Sequence, residues 1–214
     1  MTAPSLEQGW VASELAEEFP ALGIRYFTLS ARPRRSPEQV RHRLRRLADR
    51  ITGGHVIHMR QDTVPWAYRV FWRQVGVDPD TDRTPVERLA LERLVQGGLP
   101  TRNLVDDAIA IATLETGVAT TAFDADRVEG ALGLRLSEDG EPLGDAGPPL
   151  GAGRIVVADE RRPLAVLGGE PAEDRRVARE TTRIAVAALY VKGVPSMSVD
   201  EALWTVAELL SAEA

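Results

Sequence analysis

The apolar positions of this 214-residue chain change period along its length. Residues 10–19 carry an amphipathic pattern that ends at Pro20 and predicts a short helix. Residues 22–31 alternate, with Ile24, Tyr26 and Thr28 on one face, and predict a strand. Ser36-Pro37-Glu38-Gln39 reads as a helix start, with serine as cap, proline at the first helical position and Gln39 closing a capping box. Val40, Leu44, Leu47 and Ile51 follow at helical spacing, and Gly53-Gly54 reads as a break. Residues 66–75 predict a helix stopped at Gly76, and Asp78-Pro79-Asp80 a turn. Thr84-Pro85-Val86-Glu87 is a second capping box, opening a helix to Gln96, and residues 103–116 predict a further helix ended by Gly117.

From Ala131 the pattern shortens. Residues 132–136, 154–158 and 163–167 are apolar runs between Gly, Pro and Asp turns, and residues 183–192 are β-branched and alternating near their centre; all four read as strands. Ser198-Val199-Asp200-Glu201 is a third capping box, opening a terminal helix with Val199, Leu203, Val206 and Leu210 on one face. Helices followed by mostly strands imply the α+β class. The expected organisation is an N-terminal extension over residues 1–60, carrying an arginine-rich helix packed on the rest, and one domain over residues 61–214.

Composition narrows the function classes. No apolar run approaches ~18 residues, so no transmembrane helix is expected. The first nine residues lack the basic and apolar regions of a secretory signal. The chain has no cysteine, which excludes disulfides, thiolate metal sites and a cysteine nucleophile, and suits a reducing cytosol. A cytoplasmic protein is therefore expected. The net charge of −6 argues against a general nucleic-acid binder and against DNA as partner. Yet eight arginines (32, 34, 35, 41, 43, 45, 46 and 50) stand against Glu38 and Asp49 between Ala31 and Arg50, a local balance of +6. One basic face suffices for RNA, because phosphate contacts are local. Arg32, Arg34, Arg35, Arg41, Arg45 and Arg46 are the candidate phosphate contacts; the other reading is a solvated helix surface.

Other motifs add little chemistry. His55 and His58 stand three apart, but with His42 alone beyond them they lack the three or four ligands a metal site needs. Gly151-Ala152-Gly153 and Gly168-Gly169 lack the ending and context of a phosphate loop. No nucleophile elbow is present, and neither a metal nor a cofactor is expected. Tyr68-Arg69 and Trp72-Arg73 place aromatic–arginine pairs four apart, which predicts core-facing rings with arginines snorkelling at the edge; the competing reading is a base-stacking platform.

The segments Gly98-Leu99-Pro100-Thr101-Arg102-Asn103-Leu104-Val105-Asp106-Asp107, Leu114-Glu115-Thr116-Gly117 and Ala122-Phe123-Asp124 resemble, in order, the B3/B4 domain of the phenylalanyl-tRNA synthetase β subunit. The likeness continues through Ile155-Val156-Val157-Ala158-Asp159, Pro163-Leu164-Ala165-Val166-Leu167-Gly168-Gly169 and Glu180-Thr181-Thr182, and spans roughly residues 64–195. It implies a layered fold with two small sheets and flanking helices, tRNA as partner, and hydrolysis of a misattached amino acid by a positioned water. The positions of the family's asparagine, histidine and tyrosine-reading glutamate carry Ala110, Thr121 and Ala187 here. An alanine cannot bond a phenol oxygen, so tyrosine selectivity of the family kind is not expected. The resemblance places Asn103, Asp107, Ala110, Thr121, Gly168, Gly169 and Ala187 around the pocket, with Thr121 as the candidate catalytic side chain and Asp124 and Thr181 as scaffold. The expected function is a free-standing tRNA binder with trans-editing activity of altered specificity. The alternative is a non-catalytic pocket for an amino-acid-like small molecule.

Overall fold

The computed structural model describes residues 4–211. In chain order the elements are β1 (Glu7–Gln8), β2 (Trp10–Val11), α1 (Ser13–Glu18), β3 (Gly23–Ser30), α2 (Glu38–Arg50), α3 (Gly53–Met59), α4 (Thr63–Gln74), α5 (Pro85–Gln96), α6 (Leu104–Thr116), β4 (Thr120–Asp124), β5 (Gly133–Leu136), β6 (Ile155–Ala158), β7 (Pro163–Val166), β8 (Arg183–Tyr190) and α7 (Ser196–Ser211). The strands form two four-stranded sheets, ordered β1-β3-β8-β4 and β2-β5-β6-β7, so the expected α+β class with two small sheets and flanking helices is the observed one.

β8 organises the first sheet. Its residues from Ile184 to Leu189 are all buried, which is why the run is apolar on both faces. It pairs antiparallel with β3 from Gly23↔Tyr190 to Ser30↔Arg183, and with β4 from Thr120↔Ala188 to Asp124↔Ile184. Residues 7–11 stitch the two sheets together. The Gly9 amide donates to the Ile24 carbonyl at 2.9 Å and the Trp10 amide to the Leu132 carbonyl at 3.1 Å. A Cβ on Gly9 would collide with both Ile24 and Leu132. Leu15, Ile24 and Phe27 join Tyr68, Trp72, Ile111, Leu164 and Val186 in one continuous core, so residues before 60 supply both a full-length strand and core side chains.

Several local expectations are corrected. Residues 10–11 are strand rather than helix, because the Trp10 and Ala12 amides are taken by the Leu132 and Leu134 carbonyls; the helix begins at Ser13. Ser36 does not cap α2: Pro37 stands at the cap, and the buried Ser36 hydroxyl donates to the Asp107 carboxylate at 2.5 Å. Gly53-Gly54 opens α3 instead of breaking the chain, and the Thr52 hydroxyl accepts the His55 amide at 3.2 Å as the cap. α7 begins at Ser196, so Ser198 lies inside it. β4 lay in a segment with no predicted element.

The aromatic face of α4 is core: Tyr68, Phe71 and Trp72 are buried, leaving no stacking platform there. Arg69 does not snorkel. It is buried, donates to Glu87 at 2.7 Å and to Asp80 at 2.7 Å, and Arg60 adds a contact to Glu87 at 3.1 Å. Glu87 also accepts from the Thr84 amide and hydroxyl at 3.2 and 2.8 Å, as the second capping box predicted, so one buried carboxylate ties α3, α4 and α5.

Tyr68 bridges a gap in the first sheet. Its hydroxyl donates to the Leu189 carbonyl and accepts the Ala119 amide at 3.2 Å, at the point where β4 and β8 begin to separate. Burial pushes the phenol well above its ordinary pKa, so it stays a donor. Tyr68→Phe should therefore lower stability by about 2 kcal/mol, because two buried backbone groups lose their partner. Urea unfolding checks this, and a loss within error of zero would mean that Ala119 and Leu189 close up on each other.

Candidate functional site

β4 is the edge of the first sheet, and its hydrogen-bond register decides what faces outward. The Leu189 amide donates to the Ala119 carbonyl at 3.0 Å, which makes Ala119 and Leu189 a hydrogen-bonding pair. Pairs alternate in an antiparallel ladder, so Thr121 opposite Ala187 bonds inward. The amides and carbonyls of Thr120 and Ala122 consequently turn away from β8.

They turn into a cleft of about 450 Å³. One wall is the first sheet, with Thr121, Ala187 and Leu189. The opposite wall is Val157 and the end of β7, followed by Gly168 and Gly169. α6 contributes Ile109, Ala110 and Thr113, and α5 closes the side with Leu89. Thr120, Thr121 and Ala122 all line it although successive strand residues face opposite ways, so the cleft wraps over the edge of β4. The lining is mostly apolar, with a hydroxyl pair as its polar mark: Thr113 and Thr120 lie 2.6 Å apart.

The mouth carries charge. Arg88 donates to the Gly168 carbonyl, Arg102 to Glu92 at 3.3 Å, and Arg176 to the Pro171 carbonyl at 3.0 Å. Asp106 lies among them, accepting from the Asn103 side chain at 2.8 Å. Asp106 keeps an exposed face, and partial desolvation beside the cleft wall holds its carboxyl above the ordinary range, opposed by Arg102 and Asn103 and reinforced by Asp107 and Glu170. Gly168 has φ +64°, and a Cβ there would come within 2.5 Å of the Trp72 ring, so this wall needs glycine for both conformation and room.

Of the residues singled out from the sequence, Asp107, Ala110, Thr121, Gly168, Gly169 and Ala187 come together in the cleft lining. Asn103 does not line it; its side chain caps α6, accepting the Val105 and Asp106 amides at 2.9 and 3.0 Å. Asp107 is buried, accepts the Arg102 amide at 3.0 Å and the Ser36 hydroxyl, and so pins two loops at the cleft's end. Asp124 accepts the Thr181 hydroxyl at 2.8 Å and caps the short turn Ala125–Arg127. Thr113, Thr120 and the three mouth arginines escaped sequence reading. Thr113 left one trace, a polar residue on an otherwise apolar face of α6. The arginines left none, because three distant segments bring them together.

The arginine-rich segment splits into two parts. Arg41 and Arg45 both pair with Glu38, at 2.5 and 2.8 Å, and Arg43 pairs with Glu115 at 2.6 Å. Arg45 and Arg41 hold Glu38 below its ordinary pKa, the hydrogen bond from Arg45 foremost. Arg32, Arg34, Arg35 and Arg46 are exposed. The Arg34 carbonyl accepts the Leu104 amide at 2.8 Å, which lays this loop against the start of α6 beside the mouth. His55 and His58 are exposed on α3, and His42 on α2. No helix among the described residues is long and apolar enough to cross a membrane.

Residues 67–211 match the model of the B3/4 domain, and the chain belongs to that family. It is 31% identical over 121 residues to the phenylalanine–tRNA ligase beta subunit of Streptomyces avermitilis, covering 54% of this chain and 14% of that one. It is 32% identical over 148 residues to the corresponding subunit of Gloeobacter violaceus, covering 56% and 19%. For that of Yersinia pestis the identity is 34% over 96 residues, covering 44% and 12%. The chain thus spans less than a fifth of the length of these relatives.

The raised Asp106 carboxyl has a signed consequence. A folded-state pKa above the unfolded one favours the protonated fold, so the charged form weakens stability as pH rises through the folded value. Asp106→Asn should therefore melt higher than the parent at pH 7, and the gain should vanish below the ordinary carboxylate range near ~4. Melting curves at several pH values check this; a pH-independent difference would contradict it.

Proposed function

We propose that this chain binds the aminoacyl end of a tRNA and hydrolyses its ester in trans, with a specificity different from that of a tyrosine-removing site. The carrying observation is the cleft itself: the segments that resemble the synthetase domain converge on one partly open, mostly apolar space of about 450 Å³, whose mouth interleaves Arg88, Arg102 and Arg176 with Glu92, Asp106 and Glu170. That volume suits one amino-acid side chain with part of a terminal nucleoside. In the reaction, water adds to the ester carbonyl carbon. The bond from that carbon to the ribose oxygen breaks, and the ribose oxygen takes the proton. Thr121 offers the side-chain hydroxyl to hold the water. Arg88, Arg102 and Arg176 at the mouth, with Arg32, Arg35 and Arg46 beyond it, offer charge to phosphates. Ala110 and Ala187 put only methyl groups into the lining, which favours an apolar side chain over tyrosine.

A second reading, a non-catalytic pocket for an amino-acid-like molecule, is favoured by the internal pairing of Arg41 and Arg45 with Glu38 and by the net charge of −6.

The test is deacylation of a panel of mischarged tRNAs at low salt, including tyrosine on the phenylalanine tRNA. The expected result is release of an amino acid with an apolar side chain and sparing of tyrosine. Replacing Arg32, Arg35 and Arg46 by glutamine should weaken tRNA retention and flatten its log–log salt slope by up to about 3. Neither release nor retention with any tRNA would leave the small-molecule reading.

A further inference from the structure

The outward edge of β4 is a second chemical feature of the cleft, and it deepens the proposed reading, on which it rests. We infer that the backbone of Ala122 holds the amino-acid moiety of the ligand, its amide donating to the ligand's carbonyl oxygen and its carbonyl accepting from the ligand's α-ammonium.

Three observations carry this. The first is register: with Ala119 paired to Leu189 and Thr121 opposite Ala187, the Ala122 amide and carbonyl point away from β8. The second is demand. An edge amide and carbonyl are strong hydrogen-bonding groups, and no other strand covers this edge, since β4 ends the first sheet. Thr120 shares the outward direction, but its side chain is tied to Thr113 and lies 3.4 Å from the Ile109 carbonyl, which places α6 over that end. Ala122 is therefore the freer of the two. The third is fit. One strand residue presents one donor and one acceptor at the spacing of a single paired residue, so the edge matches one amino-acid unit. A cleft of about 450 Å³ has the size for one amino-acid unit with part of a nucleoside.

This mode of holding explains how the site tolerates alanine at positions 110 and 187. Backbone groups bind the part common to all amino acids, and the walls need only accept the side chain. It also puts a fixed N–H at the carbonyl where negative charge develops when water adds.

The probe is an amide-linked mimic of an aminoacyl-tRNA end, 3′-deoxy-3′-(aminoacylamino)adenosine, in alanyl, leucyl and phenylalanyl forms. Amide hydrogen exchange of the full chain is followed by NMR with and without it. The expected result is that the Ala122 amide, fast in the free protein, slows at least tenfold with the probe. The Thr121 amide, already in the ladder, should change little. A probe lacking the α-amino group should bind about tenfold more weakly, the worth of one hydrogen bond. Ala122→Pro should also weaken binding about tenfold or more while leaving melting nearly unchanged, because proline is tolerated where an edge amide points outward. Thr121→Pro, which breaks a ladder bond, should unfold the sheet edge instead. The exchange measurement on the parent protein stands even where a proline variant does not fold. A probe that binds without slowing the Ala122 amide, and equally well without its amino group, would overturn the backbone contact and leave the cleft reading intact. No binding of any form would overturn both.

Discussion

A β-strand can hydrogen-bond on two sides, and β8 uses both, with β3 along eight residues and β4 along five. That leaves β4 with one side bonded and one side open. Most of the architecture follows from managing this open edge. α5, α6 and the Gly168–Gly169 turn of the second sheet lean over it without pairing to it, and the space that remains is the cleft. A closed barrel or a fifth strand would have removed the edge and the site together. The two glycines matter because a side chain at Gly168 would strike Trp72 and push that wall away.

Buried carboxylates serve as the joints that keep the covering elements in place. Glu87 joins the start of α5 to Arg69 and Arg60. Asp107 joins the start of α6 to the loop before α2 through Ser36. Asp124 joins the end of β4 to Thr181 ahead of β8. Each accepts at least two hydrogen bonds, or an ion pair and a cap, which offsets the cost of removing its charge from water. All three stand around the cleft's frame, and Asp107 lines the cleft itself. These three acidic residues thus act mainly as ties. The groups left to meet a ligand are hydroxyls and backbone, with mouth arginines that already hold partners of their own.

Legibility followed the range of the interactions involved. Gly117 at +74° closing α6 and the Thr84–Glu87 box were readable because each depends on residues three or four apart. The Ser36 and Ser198 boxes have the same spacing and failed. Ser36 found a stronger partner in Asp107, 71 residues away, and α7 gained a turn ahead of Ser198 after Pro195. Arg69 looked like an edge residue because its two acidic partners lie beyond the helix that carries it. β4 escaped because an edge strand of five residues, three of them half-buried, leaves little alternation to detect.

The chain's own pattern determined most of the longer elements, the α+β class and the resemblance that led to the family. These rest on local periodicity and on residue order, which one sequence carries in full. Tertiary structure alone decided which backbone groups stay unpaired, which arginines are neutralised by Glu38 and Glu115, and that Arg88, Arg102 and Arg176 share one mouth. The physical reason is that pairing partners are chosen by distance in space. A backbone amide has the same sequence identity whether it bonds to β8 or faces an open cleft.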